Sequence, residues 1–387
     1  MLRSPVSSHH VFQPSADRTL GVEWELGLLD PTTLELTSRA EQLIAAVDDG
    51  AWHRSGVSAT GPRSSVAKEL LRNTVEIVTG VCRNASEAAG DLDEGLGRVR
   101  AAADQLGVEL FGGGAHPFSR WEDQQVSPGT RYATLIERTQ WWGRQMVIFG
   151  VHVHVGVTSA AKVWPLVNAL LTYHPHLTAL TASSPFTGGV DTGYASNRTM
   201  LFQQLPTAGL PFQFDTWAGY RSYLDDVFTT GVVEDATELR WDIRPSLKLG
   251  TIEVRACDGM FRVADVTAVA ALVHCLVLHL EDHLDSGRLP EPLPPWHVQE
   301  NKWRAARYGL DAVVIADSSS REVPVVDDTL ALLDRLEPTA RRLGCVAELA
   351  GVETLVRDGT GYQRMRRAAG GPDPDLLAAV RSVLITD

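Results

Sequence analysis

The sequence predicts an α+β fold in which a mainly antiparallel sheet carries helices packed on one face. Two observations lead there. Three stretches far apart in the chain, Glu23-Trp24-Glu25, His152-Val153-His154 and Glu253-Val254-Arg255, set ionisable residues two positions apart with apolar residues around them. Side chains at i and i+2 of a strand point to the same face, so each stretch reads as a strand with one polar and one apolar side. Long helical patterns lie between them, and two strand-like runs near 239–256 are close enough to pair as a hairpin. That rhythm fits an antiparallel sheet with helical excursions.

Taken in order, residues 1–17 are polar, with Pro5, Pro14 and several serines, and read as a flexible N-terminus. Residues 18–387 read as a single domain, because no repeat, low-complexity tract or Pro/Gly-rich linker divides them. The run 19–29 alternates as a strand and ends in the turn Asp30-Pro31. Residues 84–106 read as a helix, with Asn84 or Ser86 as cap and Gly107 as stop. A strand at 108–111 runs into Gly112-Gly113-Gly114, a loop continues to about 130, and 132–145 looks helical. A second strong strand covers 147–157. A helix is expected at 161–173 with Pro165 near its start, and strands at 239–243 and 251–256 joined by 245–250. Residues 264–284 are apolar on most sides, as in a buried helix. After the loop 290–295, helices are expected at 300–308 and near 327–343, 346–357 and 373–384.

The 387 residues are 44% hydrophobic and 21% charged, as in an ordinary globular chain. A net charge of −13 argues against non-specific nucleic-acid binding. It does not exclude ATP, since local arginines and metal ions can reverse the field. Cys82, Cys257, Cys275 and Cys345 form no CxxC pair, so reduced thiols are expected rather than disulfides or a zinc knuckle. No signal-peptide core is visible, and the longest apolar run, 266–280, is broken by His274 and His279 and reads as too short for a bilayer. A cytoplasmic protein without membrane or nucleic-acid partners is expected.

Glu23 and Glu25 are the sharpest signal. Same-face carboxylates repel unless a cation lies between them or one takes a proton; the plainer reading is a solvated strand face. His152 and His154 suit a metal or phosphate, although a strand histidine is more often a hydrogen-bonded core residue. Glu253 and Arg255, with Arg240 and Arg244 nearby, read either as surface ion pairs or as bidentate anion receivers. Ser196-Asn197-Arg198 adds an arginine in a polar loop. Glu69 and Glu76 would share a face in a helix and lie on opposite faces of a straight strand, which leaves their geometry open. Gly112–Gly114 with His116 could cradle phosphate but lacks a P-loop lysine, so a tight turn is the better reading.

Six motifs then converge. Thr19-Leu-Gly-Val-Glu-Trp-Glu-Leu, Phe111-Gly-Gly-Gly-Ala-His-Pro-Phe, Gly150-Val-His-Val-His-Val-Gly, Trp241-Asp-Ile-Arg-Pro-Ser, Gly250-Thr-Ile-Glu-Val-Arg and Ala306-Arg-Tyr-Gly-Leu stand in this order. In that order and spacing the chain resembles the type 2 glutamate–cysteine ligase family, the YbdK-like carboxylate–amine ligases, from about 18 to 365. The resemblance implies a glutamine-synthetase-like fold whose antiparallel sheet forms a funnel-shaped active site. It also implies ATP, Mg²⁺ and a γ-glutamyl phosphate intermediate that an amine, cysteine or another, attacks.

Carried onto this chain, the resemblance assigns metal binding to Glu23, Glu25, Glu69, Glu76, Glu253 and His154, with His152 the second choice of histidine. It assigns catalysis to Arg255, His154 and Arg244, and substrate contact to Arg198 and Arg244. Trp24 departs from the small aliphatic residue common at its position, which should alter packing beneath the site. A homo-oligomer, a dimer first, is expected. Two other readings are a zinc-dependent hydrolase built on the His152/His154 pair and a non-catalytic amino-acid or nucleotide sensor on the same fold.

Overall fold

The computed structural model describes residues 11–48 and 64–385; residues 1–10 of the expected flexible terminus lie outside this range. Its main sheet has strands β1 (Leu20–Leu29), β2 (Ser65–Lys68), β3 (Thr74–Val78), β4 (Glu109–Phe111), β5 (Gly150–Gly156), β6 (Ile243–Ser246) and β7 (Thr251–Asp258). The order is β6-β7-β5-β1-β3-β2, with β4 pairing the far end of β1. Every pairing in it is antiparallel, as expected.

Alternation in β1 decides which face is covered. Leu20, Val22, Trp24 and Leu26 are buried on the back of the sheet, while Glu23 and Glu25 occupy the front. Helices Ala85–Leu106 and Val263–Asp285 pack behind the sheet and against each other. The first is bounded as its sequence predicts: Asn84 accepts a hydrogen bond from the Glu87 N–H at 3.0 Å, and Gly107 closes the helix at φ 61°. The back layer also absorbs Trp24, which is fully buried and donates its Nε1–H to the Met260 carbonyl at 2.8 Å.

Several expectations are corrected. The strand partnering β7 is Ile243–Ser246, not 239–243, and Pro245 lies within it opposite Ile252. Proline is tolerated there because β6 is an edge strand, with no outer neighbour among the described residues needing its N–H. Arg240–Trp241 pairs instead, in parallel, with Ala208–Gly209. Pro165 sits inside helix Ala160–Leu170 rather than near its start. Helix Pro295–Tyr308 begins at its proline, five residues before the expected start at 300. The region expected as one helix at 373–384 contains Leu376–Arg381, preceded by Gly361–Ala369. Helices Ala40–Asp48, His174–Thr181, Asn197–Phe202 and Trp217–Thr229 were not anticipated.

Residues 11–17 are fastened down rather than loose. Gln13 N–H donates to the Leu247 carbonyl at 2.9 Å and Ser15 N–H to that of Val157 at 3.0 Å. The buried Phe12 ring meets Trp217 with centroids 5.4 Å apart. The apolar run at 266–280 belongs to a 23-residue helix, long and apolar enough to cross a membrane by length and composition alone. Its side chains are instead mostly buried in the core of the fold. All four cysteines are free thiols.

Candidate active site

Sheet register gathers the polar residues. Glu25 lies opposite Glu76, Glu23 opposite His152, His154 opposite Glu253, and Glu253 opposite Arg244. Antiparallel partners share a face, so these residues from five strands form one polar floor. Glu69 follows β2 directly, and the β2–β3 hairpin folds it back toward Glu76. The pair therefore meets across a turn, which neither the helical nor the straight-strand reading foresaw. Between Val254 and Cys257 the β7–β5 ladder slips by one residue. Arg255 sits at that bulge, its N–H donating to the Asp242 carbonyl at 2.7 Å.

The floor underlies a cavity of about 950 Å³. Every metal, catalytic and substrate residue expected from the sequence lines it: Glu23, Glu25, Glu69, Glu76, His152, His154, Arg198, Arg244, Glu253 and Arg255. Both histidines, His152 and His154, line the cavity. Sequence reasoning missed Arg131 and Tyr132 on helix Thr130–Arg144 and the segment 234–237, which supply other walls. Nothing local marks them; only the path of the chain over the sheet brings them there. No residue of 111–130 lines the cavity. Its glycines serve close packing instead, since a Cβ on Gly112 would come 2.4 Å from the Met260 carbonyl oxygen. His116 is buried against the Leu34 carbonyl.

Three clusters at the floor each bring ligand atoms within 4.8 Å of one another: Glu23/His154/Glu253, Glu23/Glu76/His152 and Glu25/Glu69/Glu76. Glu23 accepts from His152 Nδ1 at 2.8 Å and its other oxygen lies 3.2 Å from His154 Nε2. Burial opposes ionisation of Glu23, but these two histidines outweigh it and hold the carboxyl below its usual range. Burial, then the Arg255 charge, push His152 down to about 4, so its ring is neutral with Nδ1–H toward Glu23. For His154 the carboxylates of Glu253 and Glu23 outweigh burial and raise it.

The third cluster behaves oppositely. Burial and the neighbouring Glu69 push Glu25 up to about 8. Burial and like charges also raise Glu76 well above the carboxylate range, and burial leads the rise of Glu69. Three carboxylates, Glu76 buried and Glu25 and Glu69 half-buried, that resist ionising together are what a cation-binding site looks like electrostatically.

Arginines frame the other end. Arg244 Nε and Nη2 donate to Glu253 at 2.8 and 3.3 Å, and its Nη1 donates to the Thr237 and Leu239 carbonyls, both at 2.7 Å. Four of its five N–H groups are thus taken by protein, so its main task is clamping Glu253. Arg255 also donates to Glu253 through Nη1, but its buried Nε has no partner among the described residues. It keeps donors for a ligand. These arginines outweigh burial and hold Glu253 ionised; Oε1 accepts from both of them, while Oε2 accepts only from Arg244 Nε and retains a lone pair.

The family model for glutamate–cysteine ligase family 2 matches residues 19–381. A Nocardia farcinica chain provisionally named glutamate–cysteine ligase 2-2 is 53% identical over 373 residues, covering 96% of each chain. A Mycobacterium sp. (strain KMS) chain with the provisional name glutamate–cysteine ligase 2-1 is 52% identical over 384 residues, 99% of each. Among solved structures, glutamate–cysteine ligase from Francisella tularensis in complex with AMP superposes with a TM-score of 0.68 at 12% identity. It covers 96% of this chain and 89% of that one. The superposition bears out the fold class expected from the sequence.

Proposed function

Because this chain belongs to glutamate–cysteine ligase family 2, and so is a carboxylate–amine ligase, we propose that it uses ATP and Mg²⁺ to join the γ-carboxylate of glutamate to an amine, cysteine first among candidates. The observation that carries this reading is the trio of overlapping clusters on one sheet face, beside an arginine with donors to spare. The residues fit divalent cations. Seven of the nine cluster positions are carboxylates, a donor set suited to magnesium more than to zinc.

In this reading Glu23, Glu25, Glu69, Glu76, Glu253 and the histidines hold Mg²⁺. The metal would neutralise the triphosphate and the incoming carboxylate, whose approach is otherwise repulsive by on the order of several kcal/mol in a low-dielectric cleft. A γ-carboxylate oxygen attacks the terminal phosphorus and ADP leaves. The amine nitrogen then attacks the carbonyl carbon of the γ-glutamyl phosphate, the C–O bond to phosphate breaks, and the departing phosphate takes up the proton that the nitrogen loses. Arg255, with its unspent donors, stabilises charge on the transferring phosphoryl group. Arg244 fixes Glu253, and Arg198 contacts substrate. No side-chain nucleophile is needed.

The test is ADP release by purified protein given ATP, Mg²⁺, glutamate and a panel of amines. Turnover that needs both glutamate and an amine is expected. ADP release that no amine and amino-acid carboxylate stimulate would refute the proposal.

A further inference from the structure

Arg198 is a buried guanidinium with no carboxylate within hydrogen-bond distance among the described residues. It lies on helix Asn197–Phe202 and is only 3% exposed. Its nearest carboxylate oxygen among the described residues, on Asp258, is 4.0 Å from Nη1, beyond hydrogen-bond reach. Nη1 and Nη2 reach only the Arg255 carbonyl, each at a long 3.4 Å, and Nε has no partner among the described residues. Burying a charge so weakly engaged is costly unless a ligand completes it. The group faces the cavity, and Gly150 makes room for it: a Cβ there would come 2.2 Å from Nη2.

The surroundings hold this fork in place without consuming it. Asp258 is 1% exposed and accepts from Ser184 Oγ at 2.7 Å and Ser183 N–H at 3.0 Å on one oxygen, and from Ser196 Oγ at 2.7 Å on the other. Ser184 Oγ in turn accepts the Arg198 N–H at 3.0 Å, while Ser196 Oγ accepts the Thr199 N–H at 3.2 Å. One carboxylate thus ties down both segments that carry the arginine. Because its oxygens are already occupied by hydroxyls and an amide, it draws the guanidinium near yet leaves the donors open.

We infer that Asp258, through Ser184 and Ser196, is a positioning residue that presents the Arg198 fork to the carboxylate of the amino-acid substrate that is not phosphorylated. A planar monoanion suits the site. Arg198 with Asp258 beside it is close to neutral, too little positive charge for a polyphosphate, while the fork matches a carboxylate bidentately. The substrate's identity rests on the ligase reading above; the open fork does not.

The test measures glutamate and ATP binding separately by calorimetry with Mg²⁺ present, and KM and kcat where turnover is seen. The proteins are the full-length chain, Asp258→Asn, Ser184→Ala and Arg198→Lys. Glutamate binding should weaken about 10- to 100-fold in Asp258→Asn and Arg198→Lys, the worth of a charge-assisted hydrogen bond. Affinity for ATP, and kcat at saturating glutamate in Asp258→Asn, should stay within about threefold, because Asp258 does not line the cavity. Ser184→Ala should move in the same direction by less, and replaces Asp258→Asn if that variant fails to fold.

Unchanged glutamate affinity in these variants overturns the inference, as does equal weakening for ATP and glutamate. A parent protein that binds glutamate without turning over removes the ligase reading alone. One that binds no amino acid removes both.

Discussion

The Glu25/Glu69/Glu76 cluster makes the metal-free protein sensitive to pH, and Glu25→Gln isolates the effect. Glu25 stands at about 8 against an ordinary 4.5. The folded chain therefore keeps a proton that the unfolded chain releases, and stability falls as pH rises from about 4.5 to 8. At 1.36 kcal/mol per pH unit the ceiling is on the order of 5 kcal/mol; proton sharing with Glu69 and Glu76 brings the expectation to about 2–4 kcal/mol. Glu23 and Glu253 are held low, so they act below 4.5 and do not enter this window. His154, raised, adds to the loss above its ordinary 6.5, and comparison with the variant cancels it.

At about 2.1 cal/mol/K per residue, a chain of 387 residues has an unfolding entropy of about 0.8 kcal/mol/K, so the penalty corresponds to roughly 3–5 °C. Metal-free Glu25→Gln should melt that much above the parent at pH 8 and converge with it near pH 5. Mg²⁺ should raise the parent's melting temperature at pH 8 and raise the variant's less. The measurement is a thermal melt monitored by circular dichroism after chelation, repeated with Mg²⁺. Equal melting of the metal-free parent and variant at pH 8, or an undiminished Mg²⁺ effect in the variant, would refute the reasoning.

Arg255→Met should lower kcat by about 10²–10³, checked by steady-state ADP release, and should also lower the melting temperature because buried Glu253 loses one of its two arginines. Trp24→Ala should cost about 3–5 kcal/mol in urea unfolding, since it empties a fully buried indole site and leaves the Met260 carbonyl without its donor. Gly250 has φ 65°, and a Cβ there would lie 1.9 Å from the Gln13 carbonyl oxygen. Gly250→Ala should therefore free residues 11–17 from the sheet edge, and limited proteolysis should cut the N-terminal segment faster than in the parent. Protection equal to the parent's would refute that account.

Much of the site was legible because strand alternation is local. Glu23 and Glu25, His152 and His154, and Glu253 and Arg255 each declared a shared face through two-residue spacing, whatever the strands' partners turned out to be. Helix Ala85–Leu106 was equally readable, since Asn84 and Gly107 mark its ends by their own backbone chemistry. Pro245 misled because a proline reads as a strand breaker unless the strand is known to lie at an edge.

Sequence alone determined the antiparallel α+β class, the polar face of each strand and, through six motifs in register, the family. Tertiary structure decided the rest. Pairing register set Glu25 against Glu76 and His154 against Glu253, and a hairpin returned Glu69 to them. It also determined that Arg244 is spent on Glu253 while Arg255 and Arg198 keep donors for a ligand. The physical reason is that a residue's type fixes which bonds it can make, whereas the number left over depends on neighbours supplied by distant parts of the chain.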